Sequence, residues 1–134
     1  MARGRLITNE ITRDKKINEL SNDTSRLAFT WLITFADVEG RTYGDPALVR
    51  SMLFPRRTDI TIEQMAGYLQ EWHNARLIIW YETDGDWFVY FPHFAKHQPK
   101  LQKDREAPSN IPGPLLIPNI TPEQLQSNSR ATQC

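Results

Sequence analysis

Cysteine is almost missing from this chain: its single thiol, Cys134, is the last residue. One cysteine excludes an internal disulfide framework and suits a reducing compartment. Net charge is missing as well, since 16 Lys and Arg balance 16 Asp and Glu. No global basic character points to nucleic acid, so any such case must rest on local clusters. No apolar run approaches the roughly 20 residues of a membrane span. The opening MARGRLITNE is basic but lacks the apolar stretch of a secretory signal. Catalytic signatures are missing too: there is no glycine-rich phosphate loop, no nucleophile motif and no metal quartet. His93 and His97 are four apart and would share a helix face, but the further Cys or His that zinc needs is not supplied. These absences predict a non-enzymatic cytoplasmic protein with no cofactor, no metal and no membrane partner. The 134-residue length predicts one domain.

What is present centres on Asp59 to Phe91, DITIEQMAGYLQEWHNARLIIWYETDGDWFVYF. Thr61 stands three residues before Gln64, the spacing of a capping box, and Ile60 with Met65 can close a hydrophobic staple around it. Ile62, Met65, Ala66, Leu69 and Trp72 recur at helical spacing and predict one buried stripe. Glu63, Gln64, Gly67, Tyr68, Gln70, Glu71 and Asn74 fall opposite it. The pattern stops near Arg76, whose charge suits a helix C-terminus. Leu77 to Glu82 and Trp87 to Phe91 then read as strands joined through Asp84-Gly85, a type I′ pair that sets Tyr81 against Phe88 and Glu82 against Trp87. A helix running almost directly into a hairpin suggests a winged helix, although other small α+β domains contain the same pair.

The flanking chain supplies supporting elements. A short helix is predicted from Asp14 to Leu20, with Ile17 and Leu20 inward. Ser21, Asn22 and Asp23 can cap a longer helix, about Thr24 to Asp37, whose face is Leu27, Ala28, Trp31, Leu32 and Phe35, widened by Phe29 and Ile33. Residues 39–44 break that pattern where a short strand could join the hairpin. Asp45-Pro46 restarts a helix with Leu48, Val49, Met52 and Leu53 buried, and Pro55 ends it. Phe94 is expected to pack back onto the domain. From Ala107 the chain is rich in proline, Ser, Asn and Gln, which predicts a disordered tail. Within it Leu115-Leu116-Ile117 could dock on another protein, and Thr121-Pro122-Glu123-Gln124 resembles a helix start.

The succession LSNDTSRLAFTWLITFAD, VEGRTYGDPALVRSMLFP, TIEQMAGYLQEWHNARLIIWYE and FPHFAKHQ resembles the N-terminal domain of phage replisome organisers. These are winged-helix proteins similar in build to the bacterial primosome protein DnaD. The resemblance covers about Lys16 to Lys100. It implies an α+β fold, a winged helix-turn-helix with a three-helix core and a β-hairpin wing. With the composition of the flanks, the chain is expected to divide into a flexible basic arm (1–13), the domain (14–100) and a disordered proline-rich tail (101–134). The resemblance also implies binding to origin or forked DNA in a bacterial host cytoplasm, assembly with a replicative helicase or helicase loader, and self-association.

In such a fold the Thr61 helix would enter the major groove and present Thr61, Gln64, Tyr68 and Glu71. That helix has no Lys or Arg before Arg76, and Asp84 and Asp86 at the wing tip suit phosphate poorly. The charges that hold phosphate are therefore expected from Arg56 and Arg57 beside the helix start. Lys96, Lys100, Lys103 and Arg105, with the N-terminal arm, would add to them. Two other readings remain open: a winged-helix transcriptional regulator, and a winged-helix module for protein contact with little DNA binding.

Overall fold

The computed structural model describes residues 4–114; the expectations for Leu115–Ile117 and Thr121–Gln124 lie outside the described residues. Five helices are found among the described residues: α1 (Lys15–Asn18), α2 (Asp23–Ile33), α3 (Pro46–Leu53), α4 (Ile62–Asn74) and α5 (Phe94–His97). The strands β1 (Arg41–Tyr43), β2 (Ile79–Thr83) and β3 (Asp86–Tyr90) form one antiparallel sheet in the order β1-β3-β2, so the architecture is α+β.

Local chemistry sets the helix boundaries. The Asn22 side chain accepts from the Ser25 N–H and starts α2. That helix closes at Ile33, earlier than the pattern suggests, because Phe35 and Ala36 turn inward on bonds to carbonyls three residues back. Pro46 occupies the first position of α3, while Asp45 makes no side-chain cap bond. Thr61 accepts from the Gln64 N–H as Gln64 accepts from the Thr61 N–H, which completes the expected capping box of α4. Ile60 and Met65, the expected staple, are both buried.

The exit of α4 differs from its expected form. Arg76 takes φ 64°, the Arg76 N–H donates to the His73 carbonyl and the Leu77 N–H to the Trp72 carbonyl, which together make a Schellman ending. Its backbone therefore matters at this site as well as its charge. The buried ring of His73 then accepts the Trp80 N–H on Nδ1 at 3.0 Å and fixes the angle between α4 and β2. The hairpin has the expected register, with Tyr81 opposite Phe88 and Glu82 opposite Trp87, and Asp84 and Gly85 both at positive φ. β1 joins at β3, Thr42 opposite Val89. A Cβ on Gly44 would lie 2.7 Å from the Phe88 backbone, so only glycine allows this approach.

The core is rotated relative to the apolar patterns. In α4 the buried residues are Met65, Tyr68, Leu69, Trp72 and His73, while Ile62 stays half exposed. Tyr68 turns inward because it stacks on Trp72 at 6.3 Å. In α2, Phe29 is buried between Trp72 and Phe91, and Trp31 is left 44% exposed against Phe54. In α3, Val49 and Leu53 are buried but Leu48 is exposed. Each apolar stripe is thus turned toward the partner helix or sheet, which sequence periodicity alone does not locate.

Both flanks pack on the domain. Arg5 donates from Nε to the Ala36 carbonyl and makes a forked pair with Glu106 at 2.7 and 2.8 Å. The Gln98 amide accepts from the Leu6 N–H and donates to the Leu6 carbonyl, as a neighbouring strand would. Further on, Ile111 is buried against Tyr81 and Phe88. The packed unit therefore includes Arg5 and Leu6 of the expected free arm, and residues 101–114 of the expected disordered tail. Proline richness did not prevent packing there, because Ile111 finds an aromatic surface and two carbonyls of the segment find donors.

Candidate nucleic-acid interface

Arg56 and Arg57 lie in the exposed turn between α3 and α4. Arg57 is not a free cation. Its Nε and Nη2 donate to the Asp59 carboxylate at 3.0 and 2.8 Å, and its guanidinium lies over the Phe54 ring at 5.7 Å. The hydrogen bond from Arg57 holds the Asp59 carboxyl below its ordinary range. The helix start beside them is largely satisfied from within: Thr61 Oγ1 accepts one N–H of the first turn, and Gln64 Oε1 accepts the Thr61 N–H. Gln64 is exposed, but only its Nε2 donor is left to face a partner, which weakens the forked contact to adenine that the sequence invites. Tyr68 is buried and leaves the set of reading residues altogether.

Glu71, expected on the same reading face, instead organises the packing of α4 on α2. Its carboxylate accepts from the Ser21 N–H at 2.7 Å, the Ser21 hydroxyl at 3.1 Å and the Ser25 hydroxyl at 2.7 Å. The Ser25 Oγ in turn accepts the buried indole N–H of Trp72 at 3.0 Å. This places a negative charge at the start of α2, where the helix dipole favours it.

The second basic group surrounds an open cleft of about 750 Å³ whose lining includes Arg5, Leu6, Gln98, Lys100, Arg105 and Glu106. Lys100 and Arg105 are exposed and face this one cleft, and Lys96 is exposed on α5. Lys103 reaches Glu39 at 3.3 Å. Within the cleft Arg5 is neutralised by Glu106, whose own carboxyl the Arg5 hydrogen bond holds below the usual range. Sequence reading missed Arg5 and Glu106 as a pair, since nothing local links two residues so far apart in the chain.

Both basic groups border the C-terminal end of α2. Phe54, under Arg57, packs against Trp31 of the last turn, and Arg5 of the cleft holds the carbonyl of Ala36 just beyond it. The arrangement offers exposed cations, few base-reading donors and an acidic hairpin tip. It can grip a polyanion by charge but offers little to distinguish one base from another. No group of three or more His, Cys, Asp or Glu among the described residues could hold a metal ion. No protein-family model, curated protein or solved structure matches the chain significantly.

Proposed function

We propose that this chain is a winged-helix DNA-binding protein of phage replication initiation, a replisome organiser that grips origin or forked DNA and brings it to helicase-loading partners. The observation that supports the fold part is the element order α2-β1-α3-α4-β2-β3 with sheet order β1-β3-β2; on this reading α3 and α4 would be the helix-turn-helix pair and β2-β3 the wing. The replication part rests on the resemblance of the sequence to phage replisome organisers. The exposed Arg56, Lys96, Lys100 and Arg105 support contact with phosphate. The paired Arg57 and Lys103 contribute less.

The test is fluorescence anisotropy on duplex and forked DNA across a salt series. Each phosphate contact steepens the fall of log K with log salt by about 0.9 on duplex, so Lys100→Ala with Arg105→Ala is expected to flatten the slope by about 2. Arg57→Ala alone changes it little, because Asp59 already takes its charge. Absence of binding to either DNA at low salt would overturn the proposal. It would favour the second reading, a module for protein contact. The half-exposed Ile62 on α4 and the acidic residues Asp84 and Asp86 at the wing tip argue for that reading.

A further inference from the structure

The sheet has a second apolar face, turned away from the helices. Ile79 and Tyr81 of β2 and Phe88 and Tyr90 of β3 form it, and Ile111 is buried among them, 8% exposed. The segment carrying Ile111, residues 109–114, reads Ser-Asn-Ile-Pro-Gly-Pro. Arg41 Nη1 donates to the Ile111 carbonyl at 2.9 Å and the Tyr81 hydroxyl to the Pro112 carbonyl at 2.7 Å. Ser109 donates to Asp37 and accepts from the Ile111 N–H. Gly113 lies where a Cβ would come within 3.0 Å of the Arg41 guanidinium. An aromatic surface, one pocket for an aliphatic side chain and donors aimed at the carbonyls of a proline-containing segment is the chemistry by which peptide-recognition domains hold such ligands. Burial pushes the Tyr81 phenol upward, so it stays a donor at any ordinary pH.

We propose that this outer face is a docking groove for an uncharged, proline-flanked aliphatic segment, filled in the monomer by residues 109–114 and able to take the same segment from a second copy of the chain. Three observations favour that occupant. Its fit is already seen in the molecule. Ile111 belongs to a cluster separate from the main core, so its release leaves that core intact. The forked pair of Glu106 with Arg5 precedes the segment by only Ala107 and Pro108, so the segment can leave while residue 106 stays anchored. Exchange of an identical element between copies costs little beyond the hinge. The inference does not depend on DNA binding.

The probe is a labelled peptide of residues 107–114, APSNIPGP, titrated onto the full chain. In the Ile111→Asp chain the groove is vacated, and the peptide is expected to bind at least about tenfold more tightly than to the unaltered chain, where the tethered segment competes at high effective concentration. Tyr81→Phe added to Ile111→Asp weakens peptide binding by about fivefold, the loss of one hydrogen bond. Mixing Ile111→Asp with an Arg41→Ala/Tyr81→Phe chain, whose own segment is loosened, is expected to give a heterodimer in sedimentation velocity. A folded Ile111→Asp chain that ignores the peptide overturns the groove. Peptide binding with both mixed chains remaining monomeric overturns the second copy as occupant. If Ile111→Asp fails to fold, the milder Ile111→Ala chain, whose own segment is loosened, takes its place: amide shifts at Ile79, Tyr81, Phe88 and Tyr90 on adding excess peptide support the groove, and their absence overturns it.

Discussion

Glu71 illustrates how one side chain can be mistaken for a contact residue. On a helical wheel it belongs to the polar face, yet its carboxylate serves three donors at the start of α2, and through Ser25 it supports the buried indole of Trp72. Glu71→Ala is expected to cost about 1–3 kcal/mol in urea unfolding, since it leaves the buried Ser25 hydroxyl without its acceptor, whereas the exposed Ser21 can turn to solvent. Glu63→Ala, on the exposed start of the same helix, should stay within about 0.5 kcal/mol. His73 carries a different signature. Burial lowers its pKa below the 6.5 of a free histidine, and its Nδ1 is already occupied by the Trp80 N–H. The unfolded chain therefore binds a proton near pH 6.5 that the folded chain does not. This part of the stability is fully present above that pH and is lost as pH falls through the folded-state value. Unfolding at pH 7.5 and 5.0 should show a smaller loss for His73→Asn, whose side-chain oxygen can still accept from Trp80, than for the unaltered chain.

At the scale of elements, α4 carries both the firmest sequence signal and an exposed weakness. Its capping box was legible because it lies within one turn of sequence, and Ile60 and Met65, expected to staple it, are both buried. Met65, Leu69 and Trp72 of its buried arc were legible as well; the inward turn of Tyr68 and His73 in place of Ile62 was not, because the docking of α2 and the sheet decides that. Gly67 stands in its exposed middle, and a Cβ there meets nothing within 4 Å. Gly67→Ala should raise stability by about 0.5–1 kcal/mol, read as a higher melting temperature. If the same change weakens DNA binding, close approach of the α4 backbone to DNA explains the glycine. The hairpin was legible down to register, since Asp84-Gly85 fixes a two-residue loop and a period-two pattern does the rest. The Schellman ending was not, because Arg76 lacks the glycine by which that motif is usually read.

Across the whole molecule, the two ends of the described chain are joined. Arg5 is almost fully buried, with its side chain 4% exposed, and it bridges Ala36, Glu106 and the ring of Phe94. Arg5→Ala should lower global stability by about 1.5–3 kcal/mol, the range for bonds to charged groups. It should also speed amide exchange in residues 98–106 more than in α4. Equal exchange rates before and after the substitution would show that these ties do not hold the flanks. Because Lys100 and Arg105 face the cleft that this pair lines, the proposed DNA binding, if it uses that cleft, should also be weaker in the same variant, although no exposed cation is removed.

Helix starts, the hairpin and its register, and the α+β class were determined by the sequence itself, because capping, turn chemistry and alternation act between residues within a few positions of one another. The packing of residues 101–114, the inward turn of Tyr68, the structural role of Glu71 and the pairing of Arg57 with Asp59 were decided only in three dimensions. Arg57 and Asp59 are close in sequence, but their pairing competes with solvent and with any phosphate. Tyr68 stacks on Trp72 only one turn away, but whether that turn faces the core is set by how α4 docks. The other two depend on partners dozens of residues away, and burial of a polar or aromatic group is set by what the folded chain brings against it.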